Sequence, residues 1–203
     1  MTKTKTAALA AVLALASFGA GADDKKPAAA PAKSAEQQAM MEAWQRMSEV
    51  RPEHQQLKYF EGNWTNATKM WMDPSAPPQE SSGEGSVASI YGGRYIVFKL
   101  QGQYMGAAFE GQGFMGFENV RNQYFSTWID SMATGFWIAY GTYDAAKKTY
   151  TFHGEMPDPM KPGKKTKVRQ LFRIVDDNHY VFEWYETHDG KEAKSMEITY
   201  TRK

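Results

Sequence analysis

Carboxylates that interrupt aromatic segments are the residues of this chain whose chemistry stands out first. In "YFSTWIDS", Trp128 and Asp130 are two positions apart, so they share one face if the segment is a β-strand. Glu155 lies in a comparable segment, "TFHGEMP". Asp130 and Glu155 would form an acid/base pair if one carboxyl were desolvated and protonated beside its ionised partner.

A binding site is the second interpretation of these residues. Arg169 in "KVRQLF" and Glu183 in "YVFEWYE" belong to adjacent predicted strands, and we expect them to pair if both face inward. Together with Trp128, Asp130, His153 and Glu155 they would give an apolar wall with a few polar groups, which is typical of small-molecule pockets. The alternative is that these acids alternate outward to water.

The chain carries none of the common catalytic or metal-binding patterns. It has no cysteine and no G-x-S-x-G turn, and histidines 54, 153, 179 and 188 share no ligand spacing. Residues 111–116, "GQGFMG", match G-x-G-x-x-G, but a strand-like segment follows them where a dinucleotide site requires a helix. We therefore assign no catalytic residue, no metal ion and no resident cofactor.

The elements that must position these residues are predicted to be mainly β-strands. From Gly62 onward, β-branched and aromatic residues recur with a period of two between turn residues. About ten strands are expected, at residues 63–72, 83–90, 94–101, 109–117, 123–131, 136–143, 149–156, 167–175, 179–185 and 193–202. No helix-length segment separates them, so we predict an antiparallel up-and-down β-barrel, whose closure removes exposed strand edges.

Composition divides the rest of the chain into three segments that precede the barrel domain of residues 52–203. Residues 1–22 combine two lysines with a short apolar run and a small-residue end, which predicts a secretory signal peptide cleaved after Ala22. Residues 23–34, rich in Ala and Pro, predict a flexible linker. Residues 35–51 predict an amphipathic helix, whose apolar positions are Met40, Met41, Trp44 and Met47.

Charge and hydropathy narrow the choice of partners and compartment. Removal of the signal would change the formal net charge from +1 to −1, since it takes away two lysines and no acid. A near-neutral chain lacks the basic surface that nucleic acids require. The apolar run is shorter than the about 20 residues of a transmembrane helix, so we expect no integral membrane span and a periplasmic or secreted protein.

Two resemblances add to this interpretation. Gly62 and Trp64 at the start of the first strand, with Arg202 on the last, resemble the calycin superfamily of lipocalin-like barrels, in which such a tryptophan and arginine pack across the closed end. From about Met41 to Lys203 the chain is similar to a bacterial family known as domain of unknown function 1579. The segments that carry this similarity include "GNW", "GGRYI", "STWIDSMATG", "GEMPDPM" and "KSMEITYTRK".

The resemblance implies a fold more directly than an activity. Because some calycin-like barrels hold haem through one histidine, haem bound through His153 is an alternative to a cofactor-free barrel. Three functions remain open. The first is noncatalytic binding of a small apolar molecule inside the barrel. The second is an interaction or structural module of the envelope, with a filled barrel and a protein partner on the N-terminal helix. The third is an enzyme that uses Asp130 and Glu155.

Overall fold

Ten antiparallel strands close into a single barrel in a computed structural model that describes residues 34–104 and 106–203. Each strand pairs with the next along the chain, and the first pairs with the last. The strands are β1 (Gly62–Met70), β2 (Gln79–Ile90), β3 (Tyr95–Tyr104), β4 (Ala107–Glu118), β5 (Gln123–Asp130), β6 (Trp137–Asp144), β7 (Thr149–Pro157), β8 (Lys165–Ile174), β9 (His179–His188) and β10 (Lys191–Arg202). The predicted fold class is confirmed.

Two α-helices and two 3-10 helices complete the described chain. They are α1 (Ala35–Ser48), α2 (Pro52–Gln56) and 3-10 helices at Leu57–Phe60 and Tyr91–Gly93. Ser34 caps α1 through a reciprocal pair of hydrogen bonds with Gln37, which satisfies backbone N–H groups at the start of the helix. The predicted signal peptide and residues 23–33 of the predicted linker lie outside the described residues.

Helix α1 contacts the barrel at its carboxyl end and buries none of its own side chains. The Asn119 side-chain amide donates to the carbonyl oxygens of Arg46 and Glu49, at 2.9 and 2.8 Å. Arg94 donates to the carbonyl oxygen of Ser48 at 2.8 Å. Polar contacts to its carboxyl end therefore hold the helix in place.

The segment Pro52–Phe60, called the plug here, closes one end of the barrel. Leu57 and Phe60 are fully buried, and the Phe60 ring packs against rings from several strands. The inward side chains of this end form an aromatic core around the plug: Trp64, Phe98, Phe117, Tyr124, Tyr150, Phe152, Phe172, Tyr180 and Tyr200. The loops between β1 and β2, β3 and β4, β5 and β6, β7 and β8, and β9 and β10 lie at the opposite, open end.

A guanidinium–indole contact ties both ends of the barrel domain to the plug. The Arg202 guanidinium carbon lies 4.1 Å from the centroid of the Trp64 ring. The Trp64 Nε1 donates to the carbonyl oxygen of Phe60 at 2.8 Å. Gly62 has a φ of +129°, and a Cβ at this position would lie 2.8 Å from an Arg202 nitrogen, so glycine permits the close approach.

Arg202 also satisfies backbone carbonyl groups where the plug meets the barrel. Its Nη1 donates to Glu61 at 2.5 Å, its Nη2 to Tyr59 at 2.7 Å, and its Nε to Asp177 at 3.1 Å. A planar guanidinium can serve all three acceptors while it stacks on an indole, which a lysine ammonium cannot do. The three sequence-predicted closure residues are thus brought together at the closed end.

Replacement of Arg202 by Met should lower the free energy of unfolding by about 2–4 kcal/mol, because several charge-assisted hydrogen bonds and the stacking contact are lost together. Urea denaturation of the two proteins measures the difference. The control is Arg173→Met on the exposed face of β8, which should stay within about 0.5 kcal/mol of the parent. Equal losses for the two variants would contradict a role of Arg202 in closure.

Candidate functional site

Trp128 and Asp130 of β5 lie on the inward face of the open half of the barrel. They alternate with Thr127 and Ile129 and share their face with the buried Tyr124. The Trp128 Nε1 donates to Asp130 Oδ2 at 2.9 Å, and the other carboxylate oxygen accepts from the Met132 backbone N–H at 2.9 Å. The carboxylate therefore fixes the orientation of the indole and of the loop that follows β5.

A second tryptophan–carboxylate pair repeats this arrangement on β9. The Trp184 Nε1 donates to Glu186 Oε1 at 3.0 Å, and the same oxygen accepts from the Ser195 hydroxyl at 3.2 Å. A β-bulge between Lys194 and Met196 brings Ser195 to this position. His188, at the rim, contacts Glu186 Oε2 at 2.9 Å.

Sequence reasoning missed the Trp184–Glu186 pair, although a signal for it was present. "WYE" repeats the spacing of "WID", with an indole and a carboxylate two positions apart on one strand face. The repeated spacing would have predicted both pairs.

Trp137 of β6 supplies the third indole of this wall. Its ring lies 4.7 Å from the Trp184 ring between centroids, tilted by 51°. The ring crosses Gly154 of β7, where a Cβ would lie 2.7 Å from the indole. Because Gly154 has no side chain, the Trp137 ring can pass over β7 inside the barrel and contact the Trp184 ring of β9.

Two buried polar atoms of the wall lack hydrogen-bond partners among the described residues. They are Trp137 Nε1 and Gln170 Oε1, from side chains that are 8% and 3% exposed. Gln170 of β8 is registered directly against Trp184, so the unpaired donor and the unpaired acceptor belong to the two immediate neighbours of the Trp184 indole. Glu53, Glu61 and Asn119, at the closed end, each carry a further unpaired buried oxygen.

A cavity of about 690 Å³ opens at the mouth of the barrel on the side of β1 to β3. Its inward-facing lining includes Thr68, Met70, Ser81 and Tyr104. The volume falls within the range of small-molecule sites, about 300–1,000 Å³. Glu80, Ser82 and Gln103, which alternate with these residues along β2 and β3, also line the cavity, so it reaches both faces of the wall at the rim.

His153 and Glu155 do not line the interior, which corrects their place in the predicted cavity. Both are exposed and alternate with the inward Phe152, Gly154 and Met156. Glu155 instead forms an ion pair with Lys165 at 3.5 Å. The haem alternative fails at the same point, since an outward His153 cannot hold an iron inside the barrel.

The catalytic pairing of Asp130 with Glu155 is also wrong in its geometry. Asp130 faces the interior and Glu155 faces the outside, so the barrel wall separates the two carboxyl groups. The two carboxyl groups therefore cannot act together on one substrate as an acid/base pair. Within residues 34–104 and 106–203, no group of three or more His, Asp or Glu side chains is placed to hold a metal ion.

Arg169 and Glu183 likewise lie on the outer face, and they do not pair with each other. Arg169 forms a two-pronged ion pair with Glu192, at 2.9 and 2.6 Å, and stacks on the Tyr185 ring at 4.0 Å. Glu183 accepts from Lys194, which also bonds Glu197 at 2.6 Å. These contacts stabilise the outer surface of β8 to β10 and take no part in the interior.

The family described as "Protein of unknown function (DUF1579)" matches residues 49–202. The chain belongs to this family. The match covers the plug and every strand of the barrel, so the DUF1579 region coincides with the barrel domain and begins as α1 ends.

Solved structures add a fold relationship to the DUF1579 assignment. Rv2717c from M. tuberculosis matches with a TM-score of 0.55 at 15% identity, over 76% of this chain and 99% of that one. A redesigned beta barrel matches with a TM-score of 0.39 at 13% identity, over 77% and 99%, and supports no inference at that score. No curated protein matches significantly. At such identities the likeness to Rv2717c shows a shared fold.

Replacement of Gly154 by Ala should destabilise the protein by about 1–3 kcal/mol, because the new methyl would overlap both the Trp137 ring and the Ile138 carbonyl oxygen, 2.8 Å away. Thermal or urea unfolding measures the loss. Gly135→Ala is the control, since a Cβ there meets no atom within 4 Å. A Gly154 variant as stable as the control would show that the indole does not need this space.

The Arg169–Glu192 pair predicts a dependence of stability on pH. The guanidinium lowers the pKa of Glu192 below its ordinary value of 4.5 through direct hydrogen bonds. A lowered folded-state pKa contributes stability above pH 4.5, and this contribution is lost as the pH falls through the lowered value. Glu192→Gln should therefore lower the free energy of unfolding by less than about 1 kcal/mol at neutral pH, because both side chains are partly exposed. In strong acid the substitution should leave the free energy of unfolding unchanged.

Urea titrations at several pH values measure this difference. Glu155→Gln is the matched control, because its ion pair with Lys165 is single and longer, at 3.5 Å. The stability difference for this control should be near zero across the whole pH range. A Glu192 variant whose difference from the parent persists unchanged in strong acid would disprove the linkage.

Proposed function

We propose that the barrel binds a small, largely apolar molecule in its open half, without catalysis. The observation that carries this proposal is the cavity of about 690 Å³ at the mouth, where Met70 and Tyr104 lie among polar and small residues of β1 to β3. An apolar wall with a few oriented polar groups is the common composition of small-molecule sites. The separation of Asp130 from Glu155 removes the residues on which the enzyme alternative depended.

The filling of the barrel is uneven. Side chains of the plug and of the closed-end strands fill one half of the interior. At the mouth, the cavity is lined by the small residues Thr68, Ser81 and Gly102 and by the half-buried Met70 and Tyr104. This difference supports binding over a completely filled barrel.

Export belongs to the same proposal. The basic start, the apolar run and the Ala20-Gly21-Ala22 end of the first segment support a cleaved signal peptide and a periplasmic or secreted location. Within the described part of the chain, no helix has both the length and the apolarity to cross a bilayer.

An interaction module is the second candidate, and the surface of α1 favours it. Met40, Trp44 and Met47 lie along one side of this helix and are 56%, 55% and 52% exposed. Large apolar side chains grouped on an exposed helix face are characteristic of protein contact sites. This function and ligand binding would use opposite parts of the molecule.

Native mass spectrometry of the mature protein from its own host tests the binding proposal. We expect a mass excess that disappears on denaturation and solvent extraction. Thr68→Trp would place an indole in the cavity. A steric penalty of about 1.4 kcal/mol on ligand binding is enough to lower the occupancy about tenfold, which is the decrease we expect.

Thr199→Trp is the matched control, because Thr199 sits beside the same strand pair and points outward to solvent. This variant should keep the parent occupancy. A bare polypeptide mass, repeated after incubation with lipid mixtures, would overturn the binding proposal and favour the interaction module.

A further inference from the structure

The hairpin of β5 and β6 presents an apolar surface at the open end of the barrel. Its loop carries Met132 and Phe136, and Phe136 is 66% exposed. Ile129 on β5 and Ile138 on β6 are exposed outward positions near this loop. The sequence of residues 131–143, "SMATGFWIAYGTY", contains no charged residue. Exposed apolar residues that occur together, and not singly, mark interaction sites on protein surfaces.

Two turns of this end hold exposed apolar side chains in place. The Asp130 carboxylate accepts from the backbone N–H of Met132 at 2.9 Å. In the hairpin of β7 and β8, the Asp158 carboxylate accepts from the backbone N–H of Met160 at 2.9 Å, and Met160 is 85% exposed. The exposure of both methionines therefore belongs to hydrogen-bonded turns of the folded protein.

The hairpin of β7 and β8 adds positive charge beside the apolar surface. Strand β7 pairs with β6, so the two hairpins are neighbours in the barrel. Residues 159–167, "PMKPGKKTK", contain four lysines and no acid. Lys161 and Lys165 each form an ion pair at 3.5 Å. Lys164 and Lys167 are exposed and form no ion pair with the described residues, so their charges are open to an anionic partner.

Anionic lipid fits this combination of side chains. Apolar side chains of a peripheral protein enter the boundary between headgroups and acyl chains, and nearby lysines are attracted to anionic headgroups. A lysine can keep its ammonium among the headgroups while its methylene stem follows the apolar surface. Protein–protein contact sites, in contrast, are depleted in lysine. An uncharged hairpin beside a lysine-rich one therefore favours a bilayer over a protein partner.

We propose that the barrel docks with its open end on an anionic lipid bilayer. The side chains of Met132, Phe136 and Met160 enter the headgroup region, and Lys164 and Lys167 contact the headgroup phosphates. These five residues are called the docking rim here. The docking rim lies outside the cavity of β1 to β3, so this inference goes beyond the proposed ligand binding and does not depend on it.

Sedimentation of the mature protein with lipid vesicles tests the docking. One vesicle preparation is phosphatidylcholine alone, and the other is phosphatidylcholine and phosphatidylglycerol in equal parts. We expect binding to the anionic vesicles to be at least about tenfold tighter than to the neutral ones, because two lysines without ion pairs reach the negative surface. Binding should weaken as the salt concentration rises, since salt screens this attraction.

A double variant, Lys164→Gln with Lys167→Gln, tests the charged part of the docking rim. It should weaken binding to anionic vesicles about tenfold and leave binding to neutral vesicles unchanged. Lys147→Gln with Lys148→Gln is the matched control, because these exposed lysines lie in the turn between β6 and β7, at the closed end. The control removes the same charge and should keep the parent affinity.

Phe136→Ser tests the apolar part of the docking rim. It should weaken binding to both kinds of vesicle about tenfold, because one inserted aromatic side chain is lost. Trp44→Ser is the matched control, since Trp44 is an exposed aromatic residue of α1, and this variant should bind as the parent does. All substituted positions are exposed, so thermal unfolding of the variants should stay close to that of the parent.

The outcomes are distinct. Equal affinity for neutral and anionic vesicles, or equal losses in the two lysine pairs, would overturn the docking. A loss in Trp44→Ser without one in Phe136→Ser would place the lipid contact on α1 and overturn it as well. A parent protein that binds neither kind of vesicle would overturn it in favour of a protein partner at the docking rim. The cavity residues are unchanged in every variant, so each of these outcomes leaves the ligand-binding proposal standing.

Discussion

A barrel of ten strands is wider than its own inward side chains readily fill, and this constraint shapes the rest of the molecule. The plug resolves it at one end only. Phe60 enters the closed end and meets rings from at least four other aromatic residues. Arg202 and Trp64 then lock the plug to the first and last strands, so that closure of the sheet and filling of this end depend on the same contacts.

The open half follows from the absence of a second plug among the described residues. The indole N–H groups of its wall need hydrogen-bond acceptors. For Trp128 and for Trp184, the acceptor is a carboxylate two positions further along the same strand. Trp137 has no such neighbour, because a strand begins at this residue and the inward position two places on is Ala139. The unpaired donor therefore arises from the same arrangement that orients the other two indoles.

Helix α1 is held by polar contacts, whereas the barrel is held by a buried aromatic core. Its capping box and its polar contacts through Asn119 and Arg94 hold it without any buried side chain. Its apolar side remains available, while the barrel mouth opens among the loops at the other end of the strands. The protein thus presents two separate surfaces, and each of the two candidate functions uses one of them.

Much of the fold was predictable, because strand alternation and turn residues are local properties of the chain. The ten strands, their antiparallel order, the N-terminal helix and the roles of Gly62, Trp64 and Arg202 could be expected from pattern and resemblance. The shared face of Trp128 and Asp130 was also readable from spacing. Boundaries were less certain: β2 begins at Gln79 instead of Gly83, since backbone pairing with β1 continues through residues that bury nothing.

The sequence by itself determined which side chains share a face, and only the tertiary structure decided which face is inside. His153 and Arg169 belong to alternating strands just as Trp128 does, yet the closure of the sheet turns them outward. Contacts between distant strands were equally unreadable, since the Trp137 ring of β6 packs against the Trp184 ring of β9. Alternation is set by the backbone of each strand alone, whereas inside and outside exist only once all ten strands have closed.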